Sequence, residues 1–265
     1  MKKYFAAFPE MLFVDATYCL VDLRAATYLI MVEDGNGSSE VVAVCLLIDE
    51  NEEGISFFVE TFKNRNPAWE KVEVIMSDKD KTERKVFKKH FPRSHLMICL
   101  FHVFQIFNRE VSVKKMGISS EEVQISKHYL QKIAYSSSLA EYEEIYEEMV
   151  TTVPEIVKQY YDSNWGNITD QWVQYSTLQN LCFLNKTNNR LECLNSKLKS
   201  VINRYSPLED FLKHFFAIIN SFRTGKEVKI LHMLNKVSTK PYRENSPEYL
   251  YCKYLTFFAF EKVEK

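Results

Sequence analysis

Apolar and polar positions divide the chain into a strand-forming beginning and a helix-forming remainder. Met11–Tyr18, read as MLFVDATY, is an apolar run bounded like a buried strand. A second run, Ala25–Val32, passes through the turn-rich Glu33–Ser39 into a third, Val41–Ile48, which predicts an antiparallel meander. The period then changes: Ile55, Phe58, Val59 and Phe62 recur at helical spacing, and Asn64–Pro67 terminates the segment. A fourth strand, Val72–Asp78, leads into a basic helix, and Pro92 precedes a fifth strand, Leu96–Leu100. Strands alternating with helices predict parallel neighbours, because a parallel pair needs a crossover connection.

From Phe101 to Leu184 the strand signal is gone, and apolar residues fall at helical spacing through Val123–Ile133 and Leu139–Val157. The expected fold class is therefore α/β: a mixed five-stranded sheet with flanking helices and an all-helical insertion. The expected divisions are residues 1–112 for the first part of the core, 113–185 for the insertion, 186–238 for the last part of the core and 239–265 for a helical tail. Met1–Phe8 reads as a lead-in, and Glu248–Glu261 as the tail's helix.

Charge changes this picture locally. The 265 residues carry a formal net charge of −1, which excludes a global attraction to nucleic acid, so any such contact must come from patches. Two basic runs supply them. One holds Lys79, Lys81, Arg84, Lys85, Lys88, Lys89 and Arg93; the other holds Lys186, Arg190, Lys197, Lys199 and Arg204. Each is either a solvated helix face or an anion-binding surface. The six cysteines show no CxxC or CxC spacing, and there is no charged-then-apolar leader, so free thiols in a reducing intracellular compartment are expected. No apolar run approaches bilayer length, so no membrane contact is expected.

Three acids stand in odd places. Asp15 interrupts an apolar strand, where an uncompensated charge is costly; Asp78 closes another such run; Glu192 lies in TNNRLECLN, on a predicted helix. If strands one and four are parallel neighbours, Asp15 and Asp78 converge, and two like charges at close range call for a cation. A third carboxylate would complete an oxygen-rich site for Mg²⁺ or Mn²⁺, the kind that serves in-line phosphoryl displacement. Asn188, Glu192, Asn195 and Lys199 fall on one helical stripe, and Leu191, Leu194, Leu198 and Ile202 on another. The alternatives remain open: Glu192 facing solvent, Asn188 or Asn189 capping the helix, Asp15 bonded to a loop, and Asp78 capping the helix after it. Cys99 and His102 have a CxxH spacing that provides at most half a zinc site; the other reading is a buried thiol at a strand end with His102 starting a helix. No phosphate-binding GxxxxGK[ST], GxGxxG or nucleophile elbow is present.

In order and separation, MLFVDATY, MSDKD, Cys99-Leu100-Phe101-His102 and TNNRLECLN resemble the Mutator-like transposase domain, which has an RNase H-like fold. Ile30–Gly37, Lys88–Pro92 and Met116–Ser120 are similar to the vertebrate SWIM zinc-finger proteins derived from such transposases. The resemblance implies Asp15, Asp78 and Glu192 as an Asp-Asp-Glu triad, with a helical insertion before the glutamate. The CxC and Cys/His pair of a SWIM finger do not occur, and the chain stops after a segment similar to the one preceding the finger, so a bare catalytic-type domain is expected.

Three functions follow as expectations. The first is a domesticated DNA-binding or regulatory module in the nucleus, using Lys79, Lys85, Lys88, Lys89, Arg190, Lys197 and Lys199. The second is a nuclease or strand-transferase in which the three acids hold Mg²⁺ or Mn²⁺. The third is a protein-interaction domain presenting Tyr249, Tyr251, Tyr254, Phe257 and Phe258, whose other reading is closure of the domain's own core.

Overall fold

The apolar runs form the strands. In a computed structural model of the chain, which describes residues 1–179, 189–234, 242–243, 246–256 and 259–260, the order is α1 (Lys2–Ala7), β1 (Met11–Thr17), β2 (Ala26–Glu33), β3 (Ser39–Leu47), α2 (Glu52–Arg65), β4 (Val74–Ser77), α3 (Lys81–His90), β5 (His95–Ile98) and α4 (Leu100–Glu110). Next come α5 (Val113–Met116), α6 (Ser120–Tyr135), α7 (Leu139–Thr152), α8 (Glu155–Asn164), α9 (Gln174–Gln179), α10 (Asn189–Val201), α11 (Leu208–Leu234) and α12 (Pro247–Tyr254). The described residues thus have the expected mixed α/β character, with a mixed five-stranded sheet: β3-β2-β1 is its antiparallel part and β4-β5 its parallel part. No helix among them is long and apolar enough to cross a membrane.

Contacts divide the chain into two units, residues 1–71 with 190–265, and residues 72–189. In the first, β1 and β2 are buried along nearly their whole length, which explains why both read as almost continuous apolar runs. The ladder pairs Asp15 with Leu29, and β2 continues against β3 through a bulge at Ile30/Met31. The connecting turn is built by Asp34, whose Oδ1 accepts the N–H groups of Asn36 and Ser38, each at 2.9 Å, while Gly37 takes a left-handed φ of 67°. Asp34 Oδ2 also lies 2.6 Å from Lys226 Nζ of α11, an ion pair off the line that a hydrogen bond needs. Asn51 caps α2 by accepting Gly54 N–H at 2.8 Å; a Cβ at Gly54 would stand 2.6 Å from the Asp49 carbonyl oxygen. The helix then buries Ile55, Phe58, Val59 and Phe62, the four residues whose spacing predicts it.

Residues 1–8 are more than a lead-in: α1 buries Phe5 edge-on against Phe62, with ring centroids 4.9 Å apart. In the tail, α12 ends at Tyr254 and its Tyr249, Tyr251 and Tyr254 are exposed, whereas Phe260 is buried edge-on against Tyr242; Phe257 and Phe258 lie outside the described residues.

In the second unit, β5 ends at Ile98, two residues sooner than the apolar run suggests, because Cys99 is the N-cap of α4 and Leu100 its first residue. Every described element from α4 to α9 is helical, with a 3₁₀ segment at Gly166–Gln171. The core of these helices is aromatic: Phe107 meets Trp165 at 4.9 Å and Trp172 at 5.7 Å, and Tyr161 closes on Trp172. Gly117, at a left-handed φ of 66°, stops α5, and Ser119 with Glu122 makes the capping box that starts α6. The Met116–Ser120 motif is thus a stop followed by a start.

Candidate functional site

Asp15 sits in the middle of β1 with 7% of its surface exposed. Its Oδ1 accepts the N–H of Ala16 at 2.9 Å, and its Oδ2 accepts Nδ2 of Asn195 at 2.7 Å. These two bonds fix the carboxylate within the strand. Asn195 reaches it because α10 turns Leu194 and Leu198 inward, with Ile202 just past its end also buried, and the amide, 5% exposed, is carried in beside them. The expected polar stripe of this helix is therefore split: Asn195 is buried at Asp15, and Lys199 is exposed. Glu192 belongs to the first turns of α10, but its side chain, like those of Asn188, Asn189 and Arg190, lies outside the described residues.

Asp78 follows β4 directly and is half-buried. It is not the cap of α3. That role falls to Asp80, whose side chain accepts Glu83 N–H at 2.8 Å, while Asp78 Oδ1 accepts the N–H of Asp80 at 2.8 Å. Among the described residues no three His, Cys, Asp or Glu side chains converge as a metal site, a set that excludes Glu192. Cys99 is buried at the head of α4, and His102 stands in its first turn with its ring edge-on to Phe101.

The first basic run makes a defined feature. Lys79, Lys81, Arg84, Lys85 and Lys88 line a cleft of about 550 Å³ with His95, Leu96, Ile98, Ile168, Asp170 and Gln171. The arrangement comes from helical spacing, since residues 81, 84, 85 and 88 share one face of α3. Lys89, from the same run, is exposed but does not line the cleft. Arg84 is the anchor: it donates to the carbonyl oxygens of Met97 at 3.0 Å and Leu96 at 3.1 Å, and to Gln171 Oε1 at 2.5 Å. Burial holds its guanidinium below the ordinary arginine value. Lys79 donates to the Asn164 carbonyl at 2.5 Å and lies 3.6 Å over the Trp165 ring. Burial, then the like charges of Lys81 and Arg84, bring its amine down to about 8. The carbonyls and the ring orient Arg84 and Lys79, while the carboxylates of Glu83, Asp78 and Asp170 favour the charged form of Arg84.

Of the second basic run, Lys197 and Lys199 are exposed on α10. Lys197 lines a different cavity, of about 670 Å³, with apolar walls from Met31, Val41, Leu194 and Phe222. Lys81 and Arg84 are legible as members of the basic run, and their spacing with Lys85 and Lys88 could have placed them in the cleft. Asn195 is legible as part of the polar stripe, but not as the partner of Asp15. Gln171 carries no signal.

Comparison with known proteins finds two partial matches. Residues 1–97 match the family described as zinc finger SWIM domain-containing protein 1/3, RNaseH-like domain. Over 118 residues the chain is 30% identical to the transposase for insertion sequence element IS1201 of Lactobacillus helveticus, which covers 43% of this chain and 31% of that protein. The chain thus spans less than a third of that relative's length.

Proposed function

We propose that this transposase-derived RNase H-like domain serves as a DNA-binding, regulatory module in the nucleus, gripping the phosphate backbone with the cationic cleft along α3. The observation that carries this reading is the clustering of Lys79, Lys81, Arg84, Lys85 and Lys88 in one cleft of a chain whose net charge is −1. Lysines act on phosphates as point charges and read no bases, so the module tolerates many sequences and depends on salt. The test is fluorescence anisotropy of a labelled duplex with the intact chain and with a variant carrying Gln at 81, 85 and 88. Affinity falls in the variant; an unchanged affinity overturns the reading.

The buried carboxylate favours a second reading, metal-dependent phosphoryl transfer. The donors at β1 suit a hard divalent cation, because Asp15 offers carboxylate oxygens in a place where ionisation needs compensation, and the amide of Asn195 adjoins it. On the resemblance, Asp78 and Glu192 would hold Mg²⁺ or Mn²⁺ with it. When bound, such ions polarise a phosphoryl oxygen and lower the pKa of water. The chain's own contribution is to fix Asp15 through the Ala16 N–H and Asn195. Calorimetric titration of Mn²⁺ tests it: binding to the wild type that vanishes in Asp15→Asn supports the reading, and a folded wild type that binds no Mn²⁺ removes it.

A further inference from the structure

The amide of Asn195 is half used. Nδ2 donates to Asp15, but Oδ1, bonded to the same carbon, is buried and accepts no hydrogen bond. A buried acceptor without a donor is costly and rare enough to need an explanation. The neighbouring buried side chains on α10, Leu194 and Leu198, are apolar and have no donor to offer it. A divalent cation needs no hydrogen. Amide carbonyl oxygens and carboxylates are the ordinary ligands of hard divalent ions, and Asp15 with Asn195 provides one of each, 180 residues apart in sequence and in hydrogen-bond contact.

We infer that Asn195 is an oxygen ligand, alongside Asp15, for a divalent cation, with Oδ1 as its donor atom. This rests on the metal-dependent reading of Asp15 and adds a residue to it. The two ends of the amide have separate duties. Nδ2 covers the Asp15 charge while no ion is present. Once an ion takes over that charge, Oδ1 is the end of the same side chain that serves it, and the two ends are near-isosteric, so exchanging them needs little room. An aspartate at position 195 would offer an oxygen in the same place, whereas alanine would offer nothing.

The experiment is titration of Mn²⁺ into the intact chain, followed by calorimetry and by the rise in melting temperature, for the wild type, Asn195→Ala and Asn195→Asp. The alanine variant is expected to bind Mn²⁺ about tenfold more weakly or worse. The aspartate variant is expected to bind at least as tightly as wild type, and to gain more melting temperature from Mn²⁺ over its value in chelator. If Asn195 acts solely by donating its N–H to Asp15, the aspartate variant, which has no N–H to give, binds as weakly as the alanine variant, and the inference is overturned. It is equally overturned if alanine binds like wild type, a result that leaves the metal at Asp15 intact. A wild type that binds no Mn²⁺ overturns both. Should the alanine variant fail to fold in chelator, the aspartate variant decides alone, by retaining or losing the wild-type affinity.

Discussion

Neutralising Lys81, Lys85 and Lys88 together is the most direct perturbation of the cleft. All three are exposed on α3, so their replacement by Gln leaves Arg84 anchored on Leu96 and Met97 and costs little stability. Each lysine that neutralises a duplex phosphate contributes about 0.9 to the slope of log affinity against log salt. Removing three makes the slope shallower by about 2.7. Across the fourfold rise from about 50 to 200 mM salt, the wild-type advantage over the variant shrinks by about fortyfold. The assay is duplex anisotropy at four or five salt concentrations, with Lys89→Gln as a control on the same helix outside the cleft. Equal slopes for wild type and the triple variant would refute the reasoning. So would a loss in Lys89→Gln as large as a third of the triple effect, because the footprint would then follow net charge and not the cleft.

Lys79 should make binding pH-dependent. Its amine is brought to about 8 in the folded protein, below the ordinary lysine value. The fold therefore disfavours its charge below pH 8, and that penalty fades as pH rises through 8 toward the unfolded value. A bound phosphate reverses the preference, so binding near pH 8 takes up protons and affinity declines above it; in Lys79→Met both effects disappear, as buffer-dependent calorimetry would show. Phe107→Ala removes a ring packed on Trp165 and Trp172 and should lower unfolding free energy by about 3–5 kcal/mol in urea titration, a loss under about 1 kcal/mol being inconsistent with this core. Lys226→Met leaves Asp34, a carboxylate 8% exposed, with its two turn N–H bonds but no cation, and should cost about 3 kcal/mol, much of it recovered by adding Asp34→Asn.

The fold was legible wherever side-chain period and burial coincide. Met11–Thr17 and Ala26–Glu33 are buried almost throughout, so their composition alone marks them. Boundaries failed where the ladder or a cap decides them: β3 begins at Ser39 because Glu33 still pairs with it, two residues before the apolar run starts. Leu100 reads as strand because a short apolar run does not separate strand from helix, and the cap at Cys99 settles the matter. α1 is too short to show a period, with Phe5 its one buried residue.

The candidate sites were legible in part, for a physical reason that links them. Asp15 stands out because a charge among apolar residues is expensive, and the expense is visible before any partner is known. Its partner is not visible, because Asn195 costs nothing in an exposed polar stripe and reveals itself only by packing against Asp15. The cleft follows the same logic with the sign reversed. Like charges one helical turn apart repel, and on α3 the most buried of Lys81, Arg84, Lys85 and Lys88, Arg84, is held by backbone carbonyls and by the field of Glu83, Asp78 and Asp170. The acids that bring the net charge to −1 include Glu141, Glu143, Glu144, Glu147 and Glu148 on α7, a separate helix. At physiological salt, charges separated by more than about 8 Å are largely screened from one another. What a phosphate meets in the cleft is the local lining, five cations against the single carboxylate of Asp170, so a chain of nearly balanced charge can still bind a polyanion.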